Sequence, residues 1–113
     1  MFRSQNAQIP AVDIAALPED GYLLDVREAD EWACGHAPEA VHLPLSELAE
    51  RTAEIPADRD VYVICKAGGR SAQAVQFLNQ SGLRTVNVAG GMLAWHAAGR
   101  AMVNPSGGDP FVA

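Results

Sequence analysis

A chain of 113 residues is the size of one domain, and 49% hydrophobic with 19% charged residues is a globular composition that excludes an intrinsically disordered protein. A formal net charge of −6 and a pI near 4.8 argue against nucleic acid or an anionic membrane as the main partner, because those surfaces reward basic patches. No apolar run approaches the ~18 residues of a membrane span, "MFRSQNAQIP" shows no secretory signal, and the expected location is cytoplasmic.

In chain order, short β-like runs alternate with helical ones, the signature of βα units around a mainly parallel sheet. The expectation is an α/β fold: a central five-stranded sheet with helices on both faces. "QIPAVD" is short and carries Pro10, which suits an edge strand. Asp13 is placed to cap "IAAL". "YLLDVR" (Tyr22 to Arg27) is the second strand, and "EADEWAC" reads as a helix stopped by Gly35. "AVHLP" (Ala40 to Pro44) is the third strand. Leu45, Leu48, Thr52 and Ile55 then fall near one helical face, closed by Pro56. "DVYVIC" (Asp60 to Cys65) contains the continuous apolar run Val61 to Ile64, which marks a strand buried on both faces and hence a central one. Ser71, Ala74, Val75 and Leu78 line one face of the next helix, with Gly82 beyond its end. "TVNVAG" (Thr85 to Gly90) is the last strand and "GMLAWHAAG" the last helix. The domain is taken as residues 1–101. Residues 102–113, with two prolines, two glycines and no periodicity, read as a loosely ordered tail.

Chemistry concentrates in "CKAGGRS". Cys65 stands at the carboxyl end of a central strand, where open parallel sheets bind ligands. Gly68 and Gly69 permit a tight turn into the following helix, and successive backbone N–H groups of such a turn form an anion-binding nest. The helix N-terminus, with Lys66 and Arg70 as rim cations, favours a thiolate at Cys65. Cys65 is therefore the candidate nucleophile, and Lys66, Ala67, Gly68, Gly69, Arg70 and Ser71 are the candidate substrate-binding residues. Cys34 and Cys65 form no CxxC pair, and His36, His42 and His96 fit no metal template, so neither a disulfide nor a metal site is expected.

The loop resembles the active-site pattern of the rhodanese family: Cys, two residues, Gly, one residue, Arg, here Cys65, Gly68 and Arg70. "LLDVREADEWACGHAPEAVHLPLSEL" resembles the family's segment around its second and third strands, and "VAGGMLAWHAAG" resembles its closing Gly-Gly and Ala-Trp motif. The likeness runs in order from about Ile9 to Gly99. It implies a single-domain sulfurtransferase: Cys65 takes a sulfane sulfur from an anionic donor such as thiosulfate, holds it as a persulfide, and passes it to a thiol, cyanide or protein acceptor. Two positions depart from the family, which commonly has Gly at Glu39 and Asn at His42. In the family, residues such as Asp25, Arg27, Glu31 and His36 mainly hold loops together. Arg27, following a strand's carboxyl end, is the one best placed to reach the site. Cys34, Trp32, Trp95 and His96 read as packing or surface residues. Two further functions remain open on the residues: a phosphatase or arsenate reductase of the related fold, because an anion cup with a thiolate also suits oxyanions, and a noncatalytic persulfide-sensing or binding module.

Overall fold

A computed structural model of the chain describes residues 9–113. Residues 1–8, including Gln8 of the first expected strand, lie outside the described residues. Five strands, β1 (Ala11–Val12), β2 (Tyr22–Asp25), β3 (Val41–His42), β4 (Val61–Ile64) and β5 (Thr85–Val88), form one sheet in the order β1-β5-β4-β2-β3. Every pairing is parallel. The Pro10-flanked β1 is an edge strand and β4 is central, as their compositions require. Three helices, α1 (Ala29–Cys34), α2 (Gly69–Gln80) and α3 (Gly91–Ala97), connect or follow the strands.

The alternation of β4 divides the core into two layers. Val61, Val63 and Cys65 pack with Leu24, Leu48, Ile55 and the Ala74, Val75 and Leu78 face of α2. Ile64 turns the other way, to Ile14, Leu17, Val88 and the Met92 and Trp95 face of α3. The four positions expected to line α2, Ser71, Ala74, Val75 and Leu78, are its buried residues. The helix ends where Gly82 takes φ +92° and Leu83 N–H returns to the Leu78 carbonyl at 3.1 Å.

One expected helix is absent. The segment from Leu45 to Ile55 forms two short 3-10 turns, Leu45–Glu47 and Thr52–Glu54, instead of one α-helix. Arg51 interrupts the run at φ −119°, ψ 19°, with its guanidinium bridging Glu47 at 2.6 Å and Glu54 at 2.8 Å. Leu48 and Ile55 are nevertheless buried, so the apolar positions face the core without the α-helical period.

Residues 102–113, expected to be a tail, lie against the loop after α1. Val103 pairs antiparallel with His36, and Phe111 N–H donates to the Cys34 carbonyl at 3.1 Å. The Phe111 backbone passes where a Cβ on Gly35 would stand. No helix among the described residues is long and apolar enough to cross a membrane.

Candidate active site

The carboxyl end of β4 delivers Cys65 to the start of α2, and the five residues between Cys65 and Ser71 wrap around its sulfur. Gly68 occupies the left-handed region at φ +109°, a conformation that favours glycine, and so turns its own N–H back to Sγ at 3.1 Å. Ser71 contributes a second backbone N–H at 3.3 Å and its hydroxyl oxygen at 3.2 Å. Burial pushes the Cys65 thiol up, but the Ser71 hydroxyl and the backbone N–H groups of Ser71, Gly68 and Ala67 outweigh it and hold the thiol below its ordinary range. The donors that favour the thiolate are thus the nest and the hydroxyl. The sulfur itself is recessed, with Cys65 only 1% exposed.

The two rim cations differ in state. Arg70 makes a bidentate pair with Glu31 of α1, at 2.7 and 2.8 Å. The Arg70 hydrogen bonds hold the Glu31 carboxyl down at about 2, against partial burial that would raise it. Glu31 in turn holds the Arg70 guanidinium above its ordinary value. No described carboxylate pairs with Lys66, which leaves it the uncommitted cation of the loop.

The loop is also held from behind. Met92 N–H at the start of α3 donates to the Cys65 carbonyl at 2.8 Å, and Leu93 N–H donates to that of Lys66 at 3.0 Å. Gly91, at φ +57°, makes this approach possible: a Cβ there would collide with the backbone carbonyls of Cys65 and Lys66. The Gly-Gly pair that opens the last helix is therefore part of the site's backbone, a role that the sequence motif marked without explaining. A second contributor that sequence reasoning missed is Asn87 of β5, whose side chain meets both the Ser71 hydroxyl and the Gly68 carbonyl. Only the alternation of β5, which points Thr85 and Asn87 to α2 and Val88 away, could have signalled it.

The polar group near β2 is structural. Arg27 is fully buried, bonded to both carboxylate oxygens of Asp25 and to the Gly35 carbonyl at 2.9 Å, so its guanidinium braces the end of β2 against the loop after α1. His36 and His42 both stack on the Trp32 indole, with ring centroids 3.5 and 4.6 Å from it, and each ring also bonds a backbone carbonyl. Glu39 is exposed, His96 is exposed, and Trp95 is core. Cys34 is a free, half-buried thiol, and no described cluster of His, Cys, Asp or Glu has the makings of a metal site.

The rhodanese-like domain family matches residues 11–98, which span all five strands and three helices. A protein of Allochromatium vinosum named sulfurtransferase is 43% identical over 90 residues, covering 79% of this chain and 84% of that protein. YtwF of Bacillus subtilis is 38% identical over 94 residues, covering 78% and 91%. Among solved structures, the rhodanese-related protein of Thermoplasma volcanium superposes with a TM-score of 0.79 at 38% identity, covering 83% of this chain and 97% of that one. Sequence, sheet order and the matched span agree that this chain belongs to the rhodanese-like domain family.

Proposed function

We propose that the protein is a sulfurtransferase that carries sulfane sulfur on Cys65. The observation that carries this reading is the convergence of two backbone N–H groups and a hydroxyl on one recessed cysteine sulfur. The thiolate attacks the outer sulfur of thiosulfate. A new bond forms between Sγ and that sulfur, and the sulfur–sulfur bond of the donor breaks with its electron pair leaving on sulfite. The Cys65 persulfide then carries one negative charge on its terminal sulfur, which the inward-facing N–H groups and the helix N-terminus stabilise. A nucleophile such as cyanide or a thiolate takes the terminal sulfur, and the pair of electrons in the broken bond returns to Sγ. Lys66 draws the anionic donor to the rim. None of these steps calls for a metal or an organic cofactor. The name of the Allochromatium relative supports the same class of reaction, and two unpaired thiols suit a reducing cytoplasm.

The size of the loop argues against phosphoryl chemistry. Six residues run from Cys65 to Arg70 inclusive, one fewer than in the related phosphatases, and one residue adds up to about 3.4 Å of contour to the ring of N–H groups. A ring sized for a terminal sulfur holds a tetrahedral phosphate poorly in attack geometry. Mass spectrometry after incubation with thiosulfate tests the reading: a gain of about 32 Da located on Cys65 is expected, with negligible hydrolysis of aryl phosphates by the same preparation. An unmodified Cys65, or phosphatase turnover that disappears in Cys65→Ser, would overturn it.

A further inference from the structure

Ser71 has one hydroxyl hydrogen and two claimants for it. Its oxygen lies 3.2 Å from Cys65 Sγ and in short contact with Asn87 Oδ1. The Asn87 amide is fixed in orientation, because its Nδ2 donates to the Gly68 carbonyl at 3.3 Å, and the flipped amide would set two acceptors face to face. Asn87 therefore offers Ser71 an acceptor and nothing else. All three groups are buried: Cys65 is 1% exposed, Ser71 0% and Asn87 8%, so water is a poor substitute for any of these bonds.

We propose that Asn87 is a positioning residue that governs where the Ser71 hydroxyl hydrogen points, and so matches the hydroxyl to the charge on Cys65 as sulfur is loaded and discharged. When Sγ is neutral, as a thiol or as the inner sulfur of a persulfide, the hydroxyl donates to Asn87 Oδ1. A thiol S–H then donates to the Ser71 oxygen. When Sγ is a thiolate, the hydroxyl turns and donates to it, giving up Asn87. Each charge state thereby has a partner for the hydroxyl. The free thiolate is held slightly less firmly than it would be by an uncontested donor, which preserves its nucleophilicity, and the neutral persulfide form of Sγ strands no buried hydroxyl.

The charged groups around this switch are Lys66, adjacent to Cys65, Arg70 with its partner Glu31, and the mutually paired Asp25 and Arg27 at the end of β2. α3, packed behind the loop, contributes only His96, exposed in its last turn. None of these hydrogen-bonds to Ser71 or Asn87 through its side chain.

The proposal deepens the sulfur-transfer reading and rests on it for its purpose, while its test reads the thiol alone. Thiolate absorbance is titrated in a Cys34→Ser background, with Cys65→Ser as the blank. Asn87→Val, a volume-matched strand former, releases the hydroxyl to the thiolate and is expected to lower the Cys65 midpoint by roughly half to one pH unit, a three- to tenfold change in proton affinity. Ser71→Ala should raise it. Combined with Ser71→Ala, Asn87→Val should change nothing further. Asn87→Asp, an isostere that keeps the acceptor and adds negative charge, should raise the midpoint, and it keeps the proposal testable if the Val variant does not fold. An unchanged or raised midpoint in Asn87→Val, the same fall when Ser71 is absent, or an unchanged or lowered midpoint in Asn87→Asp would overturn the role of Asn87. A protein that shifts as stated but forms no persulfide refutes only the sulfur-transfer reading. One that forms the persulfide without these shifts refutes only the switch.

Discussion

The ion pair that ties α1 to the Cys65 loop sets a stability term with a defined pH window. Glu31 and Arg70 side chains are 18% and 35% exposed, and the carboxyl is held at about 2 instead of its ordinary 4.5. Taken at face value, that depression corresponds to roughly 3 kcal/mol. The pair sits at a half-open rim, where solvent screening and side-chain entropy reduce such terms, so about 1 kcal/mol is the expected net coupling. Because the folded-state carboxyl titrates below its unfolded value, the contribution is full above about 4.5 and is lost as pH falls toward about 2. Glu31→Gln is the suitable perturbation, since an amide oxygen still accepts the Glu28 N–H that the carboxylate holds at 3.0 Å. A double-mutant cycle with Arg70→Gln, followed by urea unfolding, should give a coupling of about 1 kcal/mol at pH 7 that shrinks by more than half at pH 3. A coupling that is absent at pH 7, or undiminished at pH 3, would refute the argument.

Cys65→Ser should abolish sulfur transfer with an unchanged unfolding midpoint, whereas Cys34→Ser should retain most turnover; equal loss in both would point to a two-cysteine relay. Lys66→Ala should raise the KM for thiosulfate roughly fivefold, and added salt should weaken the parent in the same direction, as for an exposed charge. An unchanged KM would remove Lys66 from donor binding. Gly91→Ala forces a Cβ against the Cys65 and Lys66 carbonyls in a left-handed backbone and should cost about 3 kcal/mol of stability, with sulfur transfer impaired even where the protein is folded. Near-wild-type unfolding and turnover would show that the clamp by α3 is dispensable.

Local pattern carried the fold because the strands announce themselves by burial: a continuous apolar run for central β4, a proline for edge β1, and period 3.6 for the buried face of α2. The segment from Leu45 to Ile55 escaped because spacing of three residues serves a 3-10 turn as well as an α-helix, and the backbone leaves the helical region at Arg51 although its pairs with Glu47 and Glu54 have helical spacing. At the site, "CKAGGRS" supplied the nucleophile, the turn and the helix start, all of which are neighbours in the chain. What it could not supply were contacts set by tertiary structure. Glu31 reaches Arg70 across 39 positions, Asn87 reaches Ser71 across 16, and Gly91 matters only because α3 docks on the Cys65 carbonyl. The motif suggested two free cations; folding occupied one of them with a carboxylate.

The recess that holds Cys65 bears on regioselectivity. In a persulfide two sulfurs are open to attack in principle, and the outcomes differ. An incoming thiolate that strikes the outer atom leaves with the cargo, while one that strikes Sγ would expel hydrosulfide and end as a mixed disulfide. On the proposed Cys65 persulfide the outer sulfur would stand about 2 Å further along the bond axis, beyond a residue that is itself only 1% exposed. The inner atom is the one that Gly68 N–H, Ser71 N–H and the Ser71 hydroxyl already surround. If Cys65 carries sulfur as proposed, this depth of seating would favour attack on the outer sulfur, and a shallower cup with the same hydrogen bonds would lose turnover to dead-end disulfides.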